Sequence, residues 1–167
     1  EDLLRRQGVP KAAFIGDPYI WLNSPVRRKT VPKRVGVNLG STNNSLWGSN
    51  DEDLHQFLIQ VFKELREDGW SFIWVSVWSK DIPLIDRVRQ EVDGGSGPLM
   101  DARTQTMETL SLIAGCELFV GEKLHASAMA AVAGIPFIAL EYQPKVRDFA
   151  ASLDLDSWIV STAERNP

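Results

Sequence analysis

Apolar and polar residues repeat with two different periods along this chain, and the changes between them predict its elements. In DEDLHQFLIQVFKELREDG, Leu54, Phe57, Leu58, Val61, Phe62 and Leu65 fall at i, i+3, i+4, i+7, i+8 and i+11, the stripe of one helix face. Asn50 or Asp51 can cap its start and Gly69 can end it. The next run, WSFIWVSVW (70–78), reads as a strand. Trp70, Phe72, Trp74, Ser76 and Trp78 share one side, and Ile73, Val75 and Val77 the other. Apolar residues on both sides predict a strand covered by helices above and below. His55 falls toward the polar side of the helical stripe and is expected at the surface.

The alternation continues to the end of the chain. KRVGVNL (33–39) is a strand candidate, followed by the polar loop GSTNNSLWGSN. IPLIDRVRQEV (82–92) is a shorter helix, DGGSGP a loop, and DARTQTMETLSLIAG (101–115) a helix ended by Gly115. CELFVG (116–121), IPFIALE (135–141) and the late SWIVS read as strands; 122–134 and 144–153 read as helices. Strands alternating with helices predict a parallel sheet with right-handed crossovers, an α/β Rossmann-like layer with helices on both faces.

Before residue 33 the pattern differs. EDLLRRQG resembles the last turns of a helix, AAFIGDP a short strand and turn, and SPVRRKTVPK a basic linker. The expected organisation is 1–32 as the end of a preceding domain with its interdomain linker, and 33–167 as a C-terminal Rossmann-like domain.

Composition narrows the function classes. The chain has 167 residues, 44% hydrophobic and 24% charged, which suits one folded domain. A net charge of −4 gives no general pull toward nucleic acid. The single Cys116 rules out an internal disulfide and favours a reducing compartment. No apolar run reaches the roughly 18–20 residues of a membrane span.

Ligands of open parallel sheets lie beyond the carboxyl ends of the strands. Those ends carry Asn38, Gly40, Ser41 and Thr42; Trp78, Ser79 and Lys80; Gly121, Glu122, Lys123 and His125; Glu141, Tyr142, Gln143 and Lys145. The third is the sharpest. Gly121 allows close approach of backbone, the first turn of the next helix offers amides to an anion, Lys123 adds a charge, and His125 adds a proton carrier. Ser127 lies in the same turn. The following ASAMAAVAG is made of small side chains that let its helix lie close to the sheet. An anion such as a carboxylate or phosphate would explain two cationic side chains at a helix start, where the dipole alone disfavours them. The alternative is a solvated lysine and a core histidine.

Other signals are weaker. NLGSTNNSLWG matches neither GxGxxG nor GxxxxGK[ST]. Cys116 has no CxxC partner, and Asp17 in GDP reads as a turn residue. The Trp70, Trp74 and Trp78 face reads as core, with Trp78 alone placed to reach a cleft and stack on a sugar.

The segment GEKLHASAMAAVAGIPFIALEYQPKVRDFAASLDL resembles the polysaccharide pyruvyl transferase family, through Gly121, Lys123, Leu124, His125, Ala126, Gly134, Pro136, Tyr142 and Lys145. GDP at 16–18 and KRVGVNLG at 33–40 fit the same resemblance. It implies one half of a two-domain fold of glycosyltransferase-B type, with the active site between the halves and the N-terminal domain missing from this chain. It implies transfer of pyruvate from phosphoenolpyruvate to two hydroxyls of a sugar, forming a ketal, with no cofactor or metal beyond that donor. Lys123, where the family has arginine, and His125 would be the catalytic pair. Asn38, Gly40, Ser41, Trp78, Gly121, Glu122, Ser127, Tyr142 and Lys145 are the expected substrate-binding set. The implied partners are phosphoenolpyruvate, a lipid-linked or nucleotide-linked glycan acceptor, and the missing N-terminal domain, which leaves this chain inactive alone and able to form a homodimer. The implied location is the cytoplasm or the inner membrane face. Two other functions stay open: a glycosyltransferase of the same architecture using nucleotide sugars, and a non-catalytic carbohydrate-binding domain.

Overall fold

Short apolar runs make the strands, and each of the first five is followed by a helix that returns the chain to the same edge. The computed structural model describes residues 30–40 and 51–162, with Arg6 alone before them. The AAFIGDP and SPVRRK segments, Asp17, Ser41 and Thr42 lie outside the described residues. The strands are β1 (Arg34–Asn38), β2 (Ser71–Ser76), β3 (Leu99–Asp101), β4 (Leu118–Gly121), β5 (Phe137–Glu141) and β6 (Ile159–Ser161). The helices are α1 (Asp51–Glu67), α2 (Ile82–Asp93), α3 (Thr106–Ala114), α4 (Leu124–Val132) and α5 (Pro144–Ala151). All six strands are parallel, in the order β3-β2-β1-β4-β5-β6.

This order is the Rossmann arrangement. From the centre, β1 to β3 step one way and β4 to β6 the other, so right-handed crossovers put α1 and α2 on one face and α3 to α5 on the other. Two cores result. Val35, Val37, Phe72 and Trp74 face Leu58, Ile59, Phe62, Ile85 and Val88. Ile73, Val75, Phe119 and Phe137 face Leu110, Ile113, Ala126, Met129 and Phe149. The even and odd positions of β2 separate as their alternation predicts.

Three expectations are corrected. First, Leu99–Asp101 forms a third strand, where the glycine-rich loop was expected to run straight into a helix. Trp74, Val75 and Ser76 pair with Leu99, Met100 and Asp101. Three residues are too short to show a period, and the helix begins only at Thr106. Second, α1 is rotated relative to its expected stripe: Phe57 is 57% exposed, while Ile59 is fully buried. Third, and as a consequence, His55 is not at the surface; it is 3% exposed.

Cys116 is fully buried, and its thiol approaches the Leu112 carbonyl at 3.5 Å. Burial pushes this thiol from 9.0 up to about 12, against a small opposing effect of Arg34. An acid whose folded value is raised favours the neutral form, so this preference persists through neutral pH and is lost only as pH rises through that value. Near pH 8 the native thiolate fraction is thus lowered about a thousandfold. Alkylation of the folded chain is expected to be at least that much slower than in urea, where one thiol per chain should react at the ordinary rate.

Candidate active site

The strand order reverses between β1 and β4, and there the carboxyl ends open a crevice that no crossover covers. Asn38 pairs with Gly121 across it. The crevice floor is built from backbone and buried polar groups. Asn38 is fully buried; its Nδ2 donates to the Val75 carbonyl at 2.8 Å, and its Oδ1 accepts from the Lys123 amide at 2.9 Å. The Glu122 amide donates to the Asn38 carbonyl at 3.1 Å. One asparagine therefore ties β1, β2 and the turn after β4 together. Its amide is spent within the protein, so it positions the turn rather than facing a ligand.

Gly121 and α4 explain why the turn is tight. A Cβ on Gly121 would lie 2.6 Å from Ser127 Oγ and 3.1 Å from the Phe119 ring. Only glycine lets the small residues of α4 close down on the strand end. Ala126, Ser127, Ala128, Met129 and Ala130 are all buried, as the run of small side chains suggested. Ser127 is fully buried with its Oγ lacking a hydrogen-bond partner, so it lies under the turn, not on the rim. Glu122 is likewise 1% exposed, and its carboxylate accepts from the Gly40 amide at 2.7 Å.

Above this floor stand three lysines and two aromatic rings. Lys123 Nζ lies 5.5 Å from the Trp78 ring centre and 5.0 Å from that of Tyr142. Lys80 Nζ stands 5.2 Å from Trp78, and Lys145 Nζ 5.4 Å from Tyr142. Each ring thus serves two ammonium groups by cation–π attraction. The end of β2 is shaped for this: Trp78 N–H bonds to Ser76 Oγ at 3.3 Å, and that hydroxyl donates to the Trp78 carbonyl at 2.8 Å. Trp78, two residues past the end of β2, is 45% exposed, whereas Trp74 within β2 is fully buried. Glu141, the nearby strand-end carboxylate, is engaged by Arg147 at 2.9 Å. No salt bridge to Lys80, Lys123 or Lys145 forms among the described residues. Three like charges held together without carboxylates favour an anion. His125 is exposed one residue past the start of α4.

The structure thus brings together Gly40, Trp78, Gly121, Lys123, Tyr142 and Lys145, with His125 in the first turn of the adjoining helix. Lys80, one of the strand-end residues but outside the expected substrate-binding set, is gathered into the site by the ring of Trp78. His55 was missed altogether. A groove of about 430 Å³ opens elsewhere, at the amino-terminal end of β5, lined by Ala131, Val132, Pro136, Leu153 and Trp158 among others. It has no ionisable lining residue, so anion chemistry belongs to the charged edge. No helix among the described residues is long and apolar enough to cross a membrane.

Searches of curated proteins and of solved structures return no match. The family model described as polysaccharide pyruvyl transferase matches residues 1–144, a span that takes in β1, the crevice floor, Lys123, His125 and Tyr142 and stops just short of Lys145. With most of its length and the centre of its charged crevice inside that match, the chain belongs to the polysaccharide pyruvyl transferase family.

Proposed function

We propose that this chain carries the donor-binding wall of an enzyme that transfers pyruvate from phosphoenolpyruvate to two hydroxyls of a sugar in a cell-surface polysaccharide precursor. The observation that supports this reading is the cluster of Lys80, Lys123 and Lys145 around Trp78 and Tyr142. A small donor with a phosphate and a carboxylate needs more than one cation in one place. Amides at the start of α4 add to the field. The exposed ring of Trp78 offers an aromatic surface for the acceptor sugar.

The chemistry balances without a cofactor. A proton added to the methylene carbon of the enol makes a methyl group and leaves a cationic centre at the carbon bearing phosphate. One sugar hydroxyl adds there and releases its proton. The carbon–oxygen bond to phosphate then breaks, a second hydroxyl adds, and its proton leaves. Of the two hydroxyl protons, one balances the proton added to carbon and the other leaves on hydrogen phosphate. His125 would carry protons between these positions, and Lys123 would stabilise the departing phosphate. A lysine supplies a point charge where arginine would supply a fork, which suits a leaving group whose orientation changes. A phosphorylated metabolite donor and a lone buried thiol fit a cytoplasmic setting.

The test is incubation of the full-length protein with phosphoenolpyruvate and candidate lipid-linked glycans. Phosphate release matched by the mass gain of one pyruvate ketal is expected. Stabilisation by a nucleoside diphosphate with none by phosphoenolpyruvate would instead favour a glycosyltransferase using nucleotide sugars.

A further inference from the structure

A carboxylate taken out of water needs hydrogen bonds or an opposite charge. Glu122 is 1% exposed, and its Oε2 receives the Gly40 amide at 2.7 Å. The Nε2 of His55 stands 3.9 Å from the same oxygen. His55 is itself 3% exposed, and its Nε2 has no hydrogen-bond partner. That separation is too long for a hydrogen bond, so the imidazole meets the carboxylate as a close, buried polar neighbour. Two buried polar groups, one from α1 and one from the turn after β4, therefore face each other behind the crevice and not in it.

Their position gives them a lever on the site. A Cβ on Gly40 would lie 2.2 Å from Cε of Lys123 and 2.7 Å from its Nζ, so the lysine stem rests directly on the Gly40 backbone. That backbone is held by Glu122, and Glu122 faces His55. The contacts run from His55 to Glu122, to Gly40, to the Lys123 stem, and end at the ammonium between Trp78 and Tyr142.

We propose that His55 is a positioning residue for Lys123: its buried contact with Glu122 keeps the Gly40 backbone under the lysine stem and so holds the ammonium between the two rings. Without His55, the carboxylate loses the imidazole packed against Oε2 and is free to turn away from the Gly40 amide or admit water. Either response loosens the Gly40 amide, and the stem loses its floor. The consequence for donor binding rests on the function proposed above; the position of Lys123 does not.

The test uses the full-length protein, reductively methylated with ¹³C-formaldehyde. The dimethylammonium signal of Lys123, identified by its loss in Lys123→Arg, is expected upfield because two aromatic rings flank it. His55→Gln places an amide donor near the Nε2 position and should keep both the shifted signal and phosphoenolpyruvate affinity, within about threefold. His55→Leu fills the volume without a donor, and His55→Asn is too short to reach Glu122. In both, the signal should move to the position of exposed lysines and affinity should fall about tenfold, within the range that misplacing a site group costs. A folded His55→Leu or His55→Asn protein with an unmoved Lys123 signal overturns the proposal. So does failure of both to fold, since His55 is then a core residue only. If the signal follows the expected pattern but no form of the protein binds phosphoenolpyruvate, the donor assignment falls and the positioning role stands.

Discussion

His125→Ala in the full-length protein is expected to slow ketal formation by roughly 10²–10⁴-fold, the usual contribution of a positioned proton carrier. Melting should stay within about 2 °C of the parent, because an exposed residue near a helix start leaves no cavity when shortened and alanine suits the helix. His125 is exposed and α4 is anchored by its buried neighbours Ala126 to Ala130. The kinetic split assigns its role. A proton carrier lost from the transition state lowers kcat with little change in donor affinity, whereas a lost anion ligand raises the KM for phosphoenolpyruvate. Phosphate release in a single-turnover assay separates the two. A variant that turns over at the parental rate rejects both roles.

The largest effect on stability is expected from Trp74→Ala, about 3–5 kcal/mol. Trp74 is fully buried at the centre of its core. Its ring stacks on Phe72 at 5.5 Å and meets Phe62 edge-on at 6.0 Å. Its Nε1 donates to Asp93 Oδ2 at 3.0 Å, and its amide donates to the Pro98 carbonyl at 2.8 Å. Truncation opens a cavity that three elements would have to collapse to fill, and it strips a donor from a half-buried carboxylate. For a chain of this size the midpoint should fall by roughly 6–20 °C. Trp74→Phe keeps most of the volume and loses the hydrogen bond, so its cost should be smaller by several degrees. Thermal melts of the two variants measure the difference, and a loss below about 1 kcal/mol for the alanine variant would contradict this account of the core.

The failures of the sequence pattern have physical causes that differ from one residue to the next. His55, Leu58, Ile59 and Phe62 fall at i, i+3, i+4 and i+7, and this is the face that α1 buries. The stripe through Leu54, Phe57, Leu58, Val61, Phe62 and Leu65 is equally periodic, and it leaves His55 on the polar side. Only the position of Glu122, 67 residues further along, gives that histidine a partner. Strand β3 escaped because its pairing with Trp74 to Ser76 makes it a strand; three residues carry no period of their own.

The sequence by itself determined the alternation of strands and helices, the two-sided burial of β2, the close fit of the small-residue helix on Gly121, and the family. The first three follow from local periodicity and residue size, which act between near neighbours in the chain; the family follows from the resemblance carried by residues 121–145 and the match of its model. The tertiary structure alone decided that Lys80, Lys123 and Lys145 share the rings of Trp78 and Tyr142, that Asn38 and Glu122 work beneath the crevice, and that His55 faces Glu122. These contacts join the ends of different strands, and strand order, which no local pattern encodes, sets which ends become neighbours.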